Sequence, residues 1–496
     1  MTILSERAKP LVRDEIERFI DDVQEFATDT YDHVPTTVIF TSNTFRDRKH
    51  EYSVTQPSKI VRDTNRFKRF YFTDLTQSLL DNGLSFCPHR RDDVEKSLLR
   101  KRLFHLAKLT LDYAGAVEFD SDAFESAYIT HFAPLFKSTH THRVVFPLPR
   151  LILRPEEPRT PPQVSLPSLQ CTVDSGRAVA TFTKDLRLSR IPDGEMAAMQ
   201  THGTPGMITK RDQTQKRLGW ATKLETELEV TNRPTKHDSN AVGLDQSWTA
   251  NYALEIAGDI AKQFVTALRL WEPRKYAGLG PGYLLRDSWK TYRGISGDVE
   301  RVLQPEFGQR GRTFHRSPVT LEEADEGALR NHWTDVGPYC RQDRQAETAV
   351  KQCLSRFNRM YERSAREDRL LDAYLGFETT LLRGDPGSVL SKRAAVLLTD
   401  PGDVDIGETR AFFDGVRQVR NQVVHNDVTL SESLLADHPG PNEPQEYLQT
   451  IREALARTVV AYIGLLDGPS NSIQTINQTI LSRRVDELSW GENDTE

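Results

Sequence analysis

The sequence predicts a multidomain α+β protein, with an all-α helical bundle towards its C-terminal end preceded by a mixed α/β region. Three observations predict it. The chain has 496 residues, too many for one ordinary hydrophobic core. Between residues 136 and 275, β-branched and alternating runs are interleaved with one long amphipathic stretch. From residue 344 onward, apolar residues return every three or four positions between short turns. The expected division is 1–135, mostly helical; 136–340, mixed α+β with an irregular connection; 341–468, a helical bundle; and 469–496, a tail.

Composition narrows the class. Hydrophobic residues make up 37% and charged residues 27% of the chain, which is the balance of a folded protein rather than a disordered one. With 65 Lys and Arg against 71 Asp and Glu, the net charge of −6 gives no global basic field, so any nucleic-acid site must be a local patch. Cys87, Cys171, Cys340 and Cys353 form no C-x-x-C pair, which argues against a zinc module or a disulfide framework and fits a reducing cytoplasm. The first residues lack the continuous apolar core of a signal peptide. No run approaches the roughly 18 apolar residues of a membrane span. A cytoplasmic protein without a membrane partner is expected.

In the N-terminal part, Ile16, Phe19, Ile20, Val23 and Phe26 fall at helical spacing over 14–26. Val94, Leu98, Leu99, Leu103, Leu106 and Leu109 do the same over 92–111. TTVIFT at 36–41 reads as a buried strand. Residues 45–72 combine eight Lys or Arg (Arg46, Arg48, Lys49, Lys59, Arg62, Arg66, Lys68, Arg69) and three acids with Phe45, Tyr52, Phe67, Phe70, Tyr71 and Phe72. A cationic groove with stacking rings suits single-stranded nucleic acid. A solvated loop feeding an aromatic core strand, RFYF at 69–72, is the plainer reading.

Further on, RVVFPLPRLIL (143–153) is β-like and broken by proline, and EEPRTPPQ (156–163) is a turn or linker. RAVATFTKDLRL (177–188) and KLETELEV (223–230) alternate as half-buried strands should, and PDGEMAAM (192–199) opens a helix after a turn. Ile256, Ile260, Phe264, Leu268 and Leu270 make 251–271 a long amphipathic helix. Residues 276–340 are polar and broken. GLGPG at 278–282 is expected to be a turn rather than a phosphate loop, because Pro281 has no amide and no Lys-Ser/Thr follows. His131, His140 and His142 lack the further acids or cysteines of a metal site, and Cys87-Pro88-His89 lies too close in sequence to converge as nucleophile and base.

The bundle is expected to contain helices at 346–360, 365–382 (closed by Gly384-Asp385-Pro386-Gly387), 388–398 (stopped by Asp400-Pro401-Gly402), 408–427 and 445–466, with a Pro-rich loop at 439–444. On a helical wheel of 408–427, Phe412, Val416, Val419 and Val423 stay within about 40° of one line. Arg420, Asn421, Val424 and His425 fall at about 80°, 180°, 120° and 220° from it, a second face joined by Arg417 and Gln418. Gly415, at about 300°, sits at the edge of the apolar stripe, where a missing side chain lets a neighbouring helix approach.

In order, RFNRMYERSAREDRLLDAYLGFETTLL, SKRAAVLL and VRQVRNQVVHND resemble the HEPN domains of the ApeA-like group, whose signature is Arg, four to six residues, then His. Arg420-Asn421-Gln422-Val423-Val424-His425 matches with four intervening residues. The spacing alone is weak, and its place after the two preceding helices strengthens it. VVFPLPRL, LRLSRIPDGEMAAM and the helix near 265–270 resemble the segments upstream of such domains; 1–135 has no counterpart. The resemblance implies a HEPN-type bundle acting as a metal-independent endoribonuclease without cofactor. RNA would be the substrate, and two copies would pair through the Arg420/His425 face. Residues upstream would be sensing or regulatory domains of an antiviral or abortive-infection effector, answering a phage-derived or protein trigger. His425 would be the general acid or base for attack by the 2′-OH, and Arg420 would hold the phosphate. Asn421 would orient the histidine or bind phosphate. Glu378 and Arg417 would support the site, and Lys392 and Arg393 would touch the RNA backbone. Arg420 and His425 lie about 140° apart on one helix, too far to converge on one phosphate, which independently favours a composite site. Against this stand plainer roles: His425 as a C-terminal cap, Arg420 as a surface ion-pair partner of Asp427 or another acid, and the bundle as a non-catalytic module for dimerisation or partner binding.

Overall fold

The computed structural model describes residues 3–31, 37–43, 49–55, 57–58, 60–61, 71–82, 92–133, 139–154, 163–168, 172–174, 178–191, 222–232, 246–285, 299–303, 317–340, 348–382, 385–399, 406–466 and 476–487. In chain order these form α1 (Ile3–Thr30), β1 (Thr37–Asn43), β2 (Lys49–Thr55), α2 (Thr73–Asp81), α3 (Asp92–Ala114), α4 (Ser121–Ala127), β3 (Thr139–Pro147), β4 (Leu151–Leu153), β5 (Gln163–Leu166), β6 (Thr172–Asp174), β7 (Ala178–Phe182), β8 (Leu186–Arg190), β9 (Thr222–Asn232), α5 (Gln246–Trp271), β10 (Gly282–Leu285), β11 (Val299–Leu303) and β12 (Val319–Leu321). They continue with α6 (Glu326–Val336), α7 (Thr348–Glu362), α8 (Arg366–Phe377), α9 (Ser388–Leu398), α10 (Ile406–His425), α11 (Glu432–Leu435), α12 (Pro444–Leu466) and α13 (Ser482–Glu487). Among the described residues no helix is long and apolar enough to cross a membrane.

Contacts gather the chain into two compact units. The first is Met1–Pro147, Gln170–Gly258 and Pro281–Gln304; the second is Leu148–Leu169, Asp259–Gly280 and Pro305–Glu496. A compositional scan finds contiguous blocks, whereas these units are closed by strands and helix segments distant in sequence.

The first unit holds a helical core and an antiparallel half-barrel sheet. Helix α1 buries Ala8, Val12, Ile16, Phe19, Ile20 and Val23, one stripe at helical spacing, in a cluster shared with Leu99, Leu103 and Leu106 of α3. The end of the basic aromatic stretch belongs to this core. Tyr71 and Phe72 form a turn into α2, not a strand, and Phe72 has φ 65°. That left-handed backbone costs a bulky residue about 1–2 kcal/mol; packing its ring 5.1 Å from Phe19 and 4.9 Å from Phe104 offsets it. Residues 45–48 and 62–70 lie outside the described residues, and with them the nucleic-acid reading of that stretch. So do 192–199, Cys87 and His89.

The sheet runs in the order β11-β10-β3-β9-β7-β6, with β8 also paired to β9. The run read as one strand at 177–188 is two, bent at Lys184, with β7 and β8 on successive parts of β9. His140, His142, Val144 and Phe146 alternate onto one face of β3. Arg143 lies on the other, where Glu225 of β9 accepts from it through both oxygens at 2.7 Å and also meets Arg187 and Lys223. Burial alone would raise the Glu225 carboxyl, but the Arg143 hydrogen bonds and the Lys223 and Arg143 charges hold it well below the usual range. GLGPG is a connection: Gly278 donates to the Pro149 carbonyl at 2.9 Å. Gly282 starts β10 where a Cβ would collide with the Phe146 ring.

The second unit is mainly helical. Helix α8 packs against α7, α10 and α12, and α9 against α10 and α12. Their core includes Cys353, Phe357, Leu370, Phe377, Phe413, Val416, Val419 and Leu455. The T-shaped pair Phe377–Phe413, 5.0 Å apart, joins α8 to α10. Pro444 opens α12 at a position where its missing N–H costs nothing, and the Glu443 carboxylate accepts from the Glu446 amide at 2.6 Å. Two elements were not legible beforehand. Helix α6 shows only Leu329, Trp333 and Val336 to the core in an otherwise polar frame. Residues 476–487, within the stretch expected to be a tail, bury Ile476 and Leu481 in the bundle core.

Candidate functional site

Helix α10 carries the site, and its backbone is fixed from both ends. On the core side Val416, Val419 and Val423 are buried as the wheel predicts; Phe413 is buried beside them while Phe412 is half-buried. Gly415 does not admit a helix. A Cβ there would meet Cδ of Pro439 at 2.9 Å, so the Pro-rich loop is what settles on this face. Gly440, at φ 118°, turns that loop against Phe412 and Tyr447. Beyond His425 the helix stops with Asp427 at φ 53°, a conformation that a short polar side chain tolerates better than most. The chain is then anchored by the Leu430 amide, which donates to Glu367 of α8 at 3.0 Å.

Arg420 is half-buried on this frame. Its guanidinium carbon lies 5.1 Å from the centre of the Tyr374 ring, across the helix pair α8–α10. One terminal nitrogen donates to the Asn421 side-chain oxygen at 3.0 Å, and Nε is buried with no acceptor among the described residues. Neither Asp427 nor any other described carboxylate pairs with it, so the ion-pair role is not what the geometry shows. Because Asn421 Oδ1 accepts from the guanidinium, its amide nitrogen remains a donor. Arg420 and exposed Asn421 together present guanidinium and amide N–H donors, groups that suit an anion.

Around this pair, Tyr374 is 3% exposed. Burial, and after it the charge of Glu378, push its phenol up, opposed by Arg420 and Arg417, so the ring is neutral at physiological pH. Glu378 is thus beside the site through Tyr374. It opens a π-helical turn, Glu378–Leu382, continuing α8. Arg417 is 3.7 Å from Asp414.

His425 is exposed, at the last residue of α10, with Val424 (42% exposed) between it and the Arg420–Asn421 pair and Val428 exposed just beyond. Lys392 is half-buried on α9. Arg393, expected to touch RNA, is 3% exposed and directed inward. It donates to the Leu381 carbonyl at 2.6 Å and to Ser482, and pairs with Asp385 at 2.7 Å. The helix end at Leu382 explains this role: Arg393 satisfies the Leu381 carbonyl, as Asn477 satisfies that of Thr380 at 2.9 Å. In place of a phosphate contact, Arg393 has a structural job.

Sequence reasoning missed Tyr374. Its helical spacing with Leu370 and Phe377 reads as core, and all three are buried; a core position hides a second role. The available signal was Tyr374–Glu378, a polar ring and an acid four residues apart on one helix face.

Other clusters are ordinary. His131 bonds the Tyr113 hydroxyl at 2.9 Å, and the rings of His140 and His142 stack 6.2 Å apart. Among the described residues no group of His, Cys, Asp and Glu could hold a metal ion. Burial pushes the Cys340 and Cys353 thiols up, Cys353 to about 12, which leaves them poor nucleophiles.

Compared with protein-family models, curated proteins and solved structures, the chain matches none. The site therefore rests on its own geometry and on the sequence pattern.

Proposed function

We propose that this protein is a metal-independent endoribonuclease of HEPN type, acting as an antiviral or abortive-infection effector whose upstream regions sense or regulate. The observation that carries the reading is Arg420: a guanidinium over the Tyr374 ring with no carboxylate partner among the described residues, whose Asn421 neighbour leaves a donor. Structural arginines of the same bundle, such as Arg393, are paired and internal.

In this mechanism Arg420 and the Asn421 amide hold the scissile phosphate and stabilise the added negative charge of the pentacoordinate state. His425 takes the proton of the 2′-OH, whose oxygen bonds to phosphorus; the 5′-oxygen leaves and is protonated, giving a 2′,3′-cyclic phosphate and a 5′-hydroxyl. Arg420 and His425 sit on different sides of one straight helix, so His425 serves the phosphate held by the other copy. Val424 and Val428 are the apolar contacts of that pairing. Glu378 and Arg417 support the site from beside Tyr374, and Lys392 adds a backbone contact.

The test uses the full-length chain with labelled RNA in EDTA, alongside Arg420→Ala and His425→Ala. Cleavage by the wild type and its loss in both variants is expected. RNA left intact by the wild type, with and without phage lysate, overturns the reading. Val424→Asp is expected to yield monomers by analytical ultracentrifugation and to abolish cleavage. A monomeric variant that still cuts would remove the composite site.

A further inference from the structure

An arginine that must bind phosphate faces a conflict. A carboxylate partner orients its guanidinium but also neutralises it and competes with the phosphate. Left unpartnered, a long flexible side chain loses its rotamer freedom when it binds. An aromatic face resolves this, since the ring quadrupole attracts the cation and fixes its place without cancelling its charge. Arg420 sits in that arrangement. It lies over Tyr374, its Nε is buried, and no described carboxylate reaches it.

We propose that Tyr374 is the positioning residue for Arg420: its ring holds the guanidinium beside Asn421, charged and without a competing acid, ready for a phosphate. Tyr374 itself is too buried to touch RNA. It is held by the core through Leu370 and Phe377 on its own helix, and the interhelical pair Phe377–Phe413 fixes the distance between α8 and α10 on which the stacking depends. The charge of Glu378, one turn further along, reaches Tyr374, and burial keeps the phenol protonated and the ring neutral. The functional consequence rests on the ribonuclease reading; the positioning itself does not.

The experiment separates the two. In full-length protein labelled with nitrogen-15 arginine, the Arg420 Nε–H resonance, assigned by its disappearance in Arg420→Lys, reports ring stacking through its upfield shift. The upfield position is expected to persist in Tyr374→Phe and to be lost in Tyr374→Leu. Pentafluorophenylalanine at 374 keeps the volume but reverses the ring quadrupole, and is also expected to release Arg420. This covers the case in which Tyr374→Leu folds poorly. An unchanged resonance in the leucine and fluorinated variants overturns the proposal, as does equal loss in Tyr374→Phe. RNA cleavage is followed in parallel. The leucine variant is expected to raise KM about tenfold while leaving kcat unmoved, with rescue by phenylalanine. A wild type that cuts no RNA, with the resonance behaving as expected, sinks the ribonuclease reading and leaves the positioning intact.

Discussion

Tyr361 and Tyr374 each lie under arginines in the same bundle, and the two clusters differ in what surrounds the cation. Tyr361 is covered from two helices, with Arg269 at 4.6 Å and Arg452 at 4.7 Å from its ring centre. Both arginines are almost fully buried, and main-chain and amide oxygens close them in. Arg269 donates to the Ala277 carbonyl and to Asn358, while Arg452 donates to the Pro273 carbonyl, which also accepts from the Tyr361 hydroxyl. Burial lowers the Arg452 pKa and the charge of Arg269 adds to it, against the opposing effect of Tyr361 and Glu453. Over Tyr374, Arg420 has only Asn421 among the described residues. The ring supplies the same attraction in both places. Oxygen acceptors make one cluster a structural clamp, and their scarcity leaves the other competent for an anion.

That contrast can be broken at several points. Arg420→Ala is expected to cut RNA cleavage by a hundredfold or more, on the order of 3 kcal/mol of transition-state stabilisation. It should change unfolding free energy by less than about 1 kcal/mol. A large loss of stability instead would make Arg420 a second clamp. Arg452→Ala should do the reverse, lowering stability by about 3 kcal/mol in urea titration, because it removes packing and leaves the Pro273 carbonyl short of a donor. Gly415→Ala is expected to cost about 1–3 kcal/mol, since the new methyl collides with Pro439 and the loop must move. If the loop only protects the site's frame, cleavage falls no further than stability predicts. The smallest effect is expected from Asp427→Gly, a gain of about 0.5–1 kcal/mol from relieving a left-handed residue. It should leave both arginine clusters and the end of α10 in place, as read by the Arg420 resonance.

Much of this was legible in the chain. The apolar stripe Val416, Val419, Val423 fixed which face of α10 turns inward, because helical periodicity is a local property and burial follows it. Helix α9 ended where its turn residues said it would, at Ser388–Leu398. The face carrying Arg420, Asn421, Val424 and His425 was set by the same wheel. Tertiary structure decided what each polar group does. Arg393 and Arg420 look alike in sequence, both basic residues on neighbouring helices, yet one caps carbonyls of a π turn and the other rests on a ring. Phe72 enters a turn rather than a strand because the core, not its neighbours, dictates where the ring goes. Gly415 faces a proline from a loop more than twenty residues along. The sequence by itself determined helices, their buried faces and the R-x4-H spacing, all of which depend on residues within a turn or two. Only the fold could decide which cations are paired, which glycines face a neighbour and how segments distant in sequence close each unit. Those outcomes depend on partners that periodicity cannot locate.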